Sequence, residues 1–172
     1  MDFLELAKAR YSCRCFTEQQ VEDEKIERLI EAARIAPTAK NIQPQKIYIL
    51  RSEDALAKIN ELCPCIYGAS TVFLFAYDED KQWRNDLDDK AFSGQQDCAI
   101  VATHVMLEAQ QLGLASCWVC HFPNSKTEMA FNLPENERAV LLMPVGYADE
   151  EKGGPGPNHK KFRDDVEMVR VL

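Results

Sequence analysis

Hydrophobic positions recur at helical spacing over residues 2–10, where Phe3, Leu6 and Ala7 share a face with Arg10, and over 22–36 through Ile26, Leu29, Ile30 and Ala33. Pro37 stops the second of these helices. Its start is open between two signals, since Thr17 and Gln20 have capping-box spacing while Asp23-Glu24 could equally begin the helix. Residues 47–50 are β-branched and aromatic and predict a strand; Ser52 then offers an N-cap to a short amphipathic helix through Leu56, Ile59 and Leu62. The continuous apolar run 71–77, bounded by Gly68 and Asp78, predicts a strand buried on both faces. A helix over 97–112 is apolar nearly all round and must be covered on several sides, one of which a second subunit could supply. Strands over 116–119 and 139–145 flank a short helix at 126–131. After the turn-forming Gly153-Gly-Pro-Gly-Pro157, residues 166–172 read as a strand with no local partner, which points to pairing with another chain.

No linker or internal repeat divides this pattern, so residues 1–172 are expected to form a single domain, with 46% hydrophobic residues providing one core. Lys and Arg number 20 against 28 Asp and Glu, and the resulting net charge of −8 argues against a nucleic-acid partner. The start lacks a basic segment followed by an apolar stretch, and no apolar run is long enough to span a bilayer, so neither export nor a membrane is expected. Seven cysteines, an odd number, read as reduced thiols in the cytoplasm. Cys13/Cys15 and Cys63/Cys65 are too tightly spaced for one tetrahedral zinc, and no nearby His completes a set, so no metal is expected. Cys117-Trp-Val-Cys120-His121 has the spacing of a c-type haem attachment, but it lies in an apolar run that reads as a buried strand with its exit loop.

The chain has no G-x-G-x-x-G after a strand, no phosphate-binding G-x-x-x-x-G-K-[ST] and no G-x-S-x-G elbow. Its three histidines, His104, His121 and His159, are never three or four residues apart. What remains is a pair of basic clusters in an acidic chain. Arg10, Ser12 and Arg14 alternate along a segment after the first helix, presenting donors on one side that suit a phosphate monoester, and Lys160-Lys161-Phe-Arg163 could complete the cage. The competing reading makes Arg10 and Arg14 helix C-terminal cations and 160–163 a solvated patch.

Taken together, Arg10-x-Ser12-x-Arg14-x-Phe16, the loop Pro37-Thr38-Ala39-Lys40-Asn41-Ile42-Gln43-Pro44, the helix from Asp97 to Gly113-Leu114-Ala115-Ser116, Pro144-Val145-Gly146-Tyr147 and Lys161-x-Arg163 resemble, in order, the motifs of the nitroreductase-like FMN-dependent oxidoreductases. The resemblance runs across nearly the whole chain and favours the phosphate reading of the basic clusters. It implies an α+β fold with a mostly antiparallel sheet wrapped by helices and a C-terminal strand exchanged in a homodimer, with each FMN between two subunits. Arg10, Tyr11, Ser12, Arg14, Lys161 and Arg163 would hold the phosphate end. Pro37, Thr38, Ala39, Asn41 and Gln43 would line the isoalloxazine ring, and a backbone N–H near Cys120 and His121 would point at flavin N5. The implied function is NADH- or NADPH-dependent reduction of electron-poor acceptors such as nitroaromatics or quinones by a ping-pong hydride mechanism, with no side chain obliged to act as acid or base. Gln45 stands where the family usually has an aromatic after Gln-Pro, and Cys120-His121 where many members have Glu-Gly or Gly. A non-catalytic flavin-binding or flavin-processing protein of the same fold is the alternative.

Overall fold

The computed structural model describes residues 2–88 and 90–172. In chain order the elements are α1 (Phe3–Ala9), α2 (Asp23–Ile35), β1 (Gln45–Leu50), α3 (Glu53–Leu62), β2 (Thr71–Asp78), α4 (Gly94–Gln111), β3 (Ala115–Ser116), α5 (Asn124–Ala130), β4 (Glu137–Gly146) and α6 (Asp165–Met168). The strands form one sheet in the order β1-β2-β4-β3, and all three pairings are antiparallel. This is the expected α+β arrangement.

Helix ends follow local chemistry. Asp2 and Glu5 close a capping box on α1, with the Glu5 N–H donating to Asp2 Oδ1 at 2.9 Å. Ser52 caps α3 as its position predicts, accepting from the Ala55 N–H at 3.2 Å. Helix α2 begins at Asp23 behind Glu22, so the Thr17/Gln20 spacing caps nothing. It ends at Ala36, whose extended conformation (φ −64°, ψ 137°) is what a residue preceding proline prefers. Helix α4 starts three residues before the expected Asp97, at a glycine over which the Tyr77 ring closes: a Cβ on Gly94 would stand 2.3 Å from that ring.

The sheet is buried between two helical layers. On one face Phe73, Phe75, Leu141, Met143 and Val145 pack against α2 and α4; on the other Val72, Leu74 and Leu142 pack against Ile59 of α3 and the segments around α5. Side chains alternate across a strand, so a β2 that is apolar without a break from Val72 to Ala76 serves both faces. Phe73 and Phe75, fully buried, stack with centroids 6.2 Å apart. The β2–β4 register slips between Phe75 and Ala76, which leaves Val140 as the extra residue of a bulge.

Two expected strands are corrected. The 116–119 strand reduces to Ala115–Ser116 plus an isolated bridge between Val119 and Leu142, because the facing residue is Pro144, whose carbonyl accepts from Cys117 at 3.1 Å but which has no N–H to return. In the single chain, residues 166–172 form no strand: Asp165–Met168 make one helical turn and everything from 164 onward is exposed. Strand geometry needs a partner edge, and this segment pairs with none in the single chain.

Candidate functional site

The segment after α1 is extended and lies against the edge of the sheet, where Ser12 bridges Ser116 in parallel and the Cys13 N–H donates to the Ser116 carbonyl at 3.0 Å. Alternation along this extended segment sends Cys13 into the core, fully buried with Phe16, Ala69 and Ala115, while Arg10, Ser12 and Arg14 face a common cavity. The other wall comes from the C-terminal part of the chain. Asp149 donates its N–H to the Cys15 carbonyl at 3.0 Å, and Gly153 donates to Asp149 at 2.8 Å. A Cβ on Gly153 would meet the Cys15 carbonyl at 2.5 Å, so the close backbone approach that docks this loop requires glycine. The chain then returns over the segment through Gly156, Pro157, Asn158, His159 and Lys161, enclosing a cavity of about 500 Å³ with Arg10, Ser12 and Arg14.

Arg10, Ser12, Arg14 and Lys161, expected as one cluster, therefore converge although they come from opposite ends of the chain. Tyr11 lies beside them, edge-on to His159 with centroids 6.2 Å apart and planes at 76°. Its hydroxyl titrates above the usual phenol range, chiefly through burial and secondarily through Cys13. Arg163 does not line the cavity; it lies two residues beyond Lys161 and is exposed. Burial also raises the Cys13 and Cys117 thiols, outweighing the opposing influence of the Arg14 guanidinium on both. These thiols remain protonated core groups and not nucleophiles. His159 was missed from sequence, though its place two residues before Lys161 puts it at the same alternating spacing as the Arg10/Ser12/Arg14 set.

The loop from Pro37 to Pro44 forms a second patch at the N-terminal end of α4. Thr38 precedes a single 3-10 turn, Ala39–Asn41, and three non-glycine residues, Lys40, Asn41 and Gln43, hold left-handed conformations with φ of 51°, 54° and 56°. Each costs roughly 1–2 kcal/mol over a right-handed residue, less for asparagine, and persists only where the surroundings overdetermine it. The Gln43 N–H donates to Thr38 Oγ1 at 3.0 Å, Gln43 Nε2 donates to Asn41 Oδ1 at 3.0 Å, and the Ala39 N–H donates to Asp97 Oδ1 at 2.9 Å. Residues 40–43 are exposed.

Cys120 and His121 form a third patch, lining a smaller cavity of about 230 Å³ with Leu62, Pro64, Phe122 and Pro123. The Trp118 indole donates to Cys120 Sγ at 3.1 Å, and the Cys63 thiol donates to the His121 carbonyl at 3.4 Å. Among the described residues neither the Cys120 nor the His121 N–H has a hydrogen-bond acceptor. Among the described residues the two cavities share no lining residue, and the 37–43 loop lines neither. All seven cysteines are free, and among the described residues no helix is long and apolar enough to cross a membrane.

Comparison with known proteins assigns this three-layer α+β fold to a family. The chain belongs to the nitroreductase family, whose profile matches residues 7–65 and 61–147. A nitroreductase family protein from Clostridium difficile 630 is 37% identical and superposes with a TM-score of 0.91, covering 99% of this chain and 98% of that one. A protein of Methanothermobacter thermautotrophicus, provisionally named NADH dehydrogenase/NAD(P)H nitroreductase, is 28% identical over 160 residues, 89% of this chain and 81% of that protein. An FMN-dependent nitroreductase of Clostridium difficile R20291 shares the fold, with a TM-score of 0.79 at 21% identity over 98% of each chain. The protein is an oxidoreductase enzyme.

Proposed function

We propose that the chain, acting as one domain over residues 1–172 and as a cytoplasmic homodimer, binds FMN and uses NADH or NADPH to reduce small electron-poor acceptors such as nitroaromatics or quinones. The observation that carries this reading is the convergence of Arg10, Ser12, Arg14 and Lys161 on one cavity of about 500 Å³. Two guanidiniums, an ammonium and a hydroxyl are a donor set matched to a dianionic phosphate monoester, and the cavity has room for it. FMN held there by Arg10, Ser12, Arg14 and Lys161 would supply the hydride-transfer chemistry between nicotinamide and acceptor.

The chain's own share is binding and electrostatics. The cations neutralise the phosphate, the 37–43 loop lines the ring, and the free N–H groups of Cys120 and His121 are donors for a ring edge where negative charge builds on reduction. Arg163 joins the cage only if it turns back toward Lys161 in the assembled protein. The separation of the three patches in the single chain supports a composite site between two subunits. So does exposed apolar surface at both ends of the chain: Phe3 and Leu4 are 66% and 63% exposed, and Val166, Val169 and Val171 in the tail are 81%, 57% and 95% exposed.

Purified protein should be yellow and release FMN, not FAD, on denaturation. With NADH or NADPH and a quinone, double-reciprocal plots at several acceptor concentrations should be parallel, because one ring face serves both substrates in turn. Intersecting lines would rule out the shared site, and bound FMN without turnover would leave a flavin-binding or flavin-processing protein. Deleting residues 164–172 should lower dimer content and flavin occupancy together in light scattering and absorbance. A truncated monomer with full flavin would refute the composite site.

A further inference from the structure

The 37–44 loop has a capping deficit that α4 makes good. Thr38 occupies the N-cap position of the turn Ala39–Asn41, yet its hydroxyl accepts from Gln43 and makes no cap bond within the turn. The first N–H of the turn, that of Ala39, would be left without an acceptor were it not for Asp97, 58 residues further along the chain. Asp97 is 2% exposed, and its second oxygen, Oδ2, is buried with no partner. A carboxylate accepting a single neutral hydrogen bond in such surroundings is an expensive group to keep for packing alone. It sits in the first turn of α4, where the helix dipole favours negative charge, and α4 is a long helix held between α2 and the sheet.

We propose that Asp97 is a positioning residue for the flavin-facing loop: its carboxylate anchors the Ala39 N–H to the rigid start of α4 and so holds Lys40, Asn41 and Gln43 in their left-handed conformations. The link to flavin rests on the function proposed above; the link from Asp97 to the loop does not. A charge-assisted hydrogen bond from a helix that cannot move is the stronger of the available ways to keep three strained residues in place. The loop then presents the Asn41 side chain to the ring without having to order itself on binding.

The test uses the full chain with and without FMN. Lys40 is exposed and lies within the strained turn, so tryptic cleavage after it reports the loop directly. D97A should accelerate that cleavage in the flavin-free protein and weaken FMN binding about tenfold, the effect of one hydrogen bond to a charged group. D97N keeps a neutral acceptor for the Ala39 N–H but loses the charge, so both readouts should fall between D97A and the wild type. A39P removes the donor instead, and it is compatible with the backbone, because proline is tolerated at the first position of a helical turn and Thr38 is already extended at φ −135°, ψ 162°. It should reproduce the D97A effect, and it keeps the test available if D97A does not fold. Unchanged cleavage after Lys40 in the variants would overturn the anchor, and unchanged FMN affinity in a protein whose wild type binds FMN would overturn its role in presenting the loop to the flavin. Faster cleavage in a protein that binds no FMN at all would keep the anchor and overturn the flavin reading.

Discussion

Replacing Arg14 by alanine is expected to lower FMN affinity by about 10- to 150-fold, the value of a charged hydrogen-bond donor worth ~1.5–3 kcal/mol. Arg14 lines the cavity from the segment docked on β3, and its Nη1 lies 3.4 Å from the Ser12 carbonyl, a weak contact that leaves the guanidinium available to a phosphate. Lys161→Ala should fall at the lower end of the same range, since Lys161 is exposed at the rim and an ammonium cannot bind a phosphate in bidentate fashion. Both losses should shrink at high ionic strength, because partly exposed charges are screened. Titrating apoprotein with FMN by fluorescence quenching at two salt concentrations measures this. Wild-type affinity in both variants would return the two residues to a solvated basic patch.

Phe73→Ala should cost about 3–5 kcal/mol of stability, which for a chain of this size lowers Tm by about 6–20 °C. Phe73 lies in β2, pairs with Ile49 on one side and Met143 on the other, and is fully buried beneath α2 and α4. Removing its ring leaves a void bounded on every side by regular structure, which cannot collapse into it. Met129→Ala on α5 is the matched control: that side chain is 70% exposed, and its loss should stay within about 0.5 kcal/mol. Urea unfolding distinguishes the two. A Phe73→Ala loss below about 1 kcal/mol would mean that the two-layered core is not packed as described.

Local periodicity grouped part of the site, and the family resemblance decided between a phosphate cage and a solvated patch. Arg10, Ser12 and Arg14 alternate, an extended chain places alternate residues on one side, and the cavity contains all three. The Pro-Thr-Ala-Lys-Asn-Ile-Gln-Pro loop could be recognised as a motif, but not its three left-handed residues, because lysine and glutamine carry no signal for positive φ and asparagine only a weak one. Asp97 read only as the start of a helix. Nothing near it in sequence points to Ala39, and the two meet only because the loop after α2 folds over the beginning of α4. His159 was absent from the expected set because its spacing of two from Lys161 becomes a signal only once the returning chain is known to face the cavity.

By itself the amino-acid sequence determined what depends on neighbours along the chain: the helices and the caps of Asp2 and Ser52, the extended Ala36 before Pro37, and a β2 apolar on both faces. Tertiary structure decided what depends on which segments meet. It chose Lys161 and not Arg163 for the cavity, because docking of Gly153 against Cys15 sets where the returning chain runs. It shortened β3, because Pro144 interrupts a ladder only once that strand has been chosen as its partner. It gave Asp165–Met168 a helical turn and left the tail exposed, because β pairing is a property of two edges and periodicity along one segment does not supply the second.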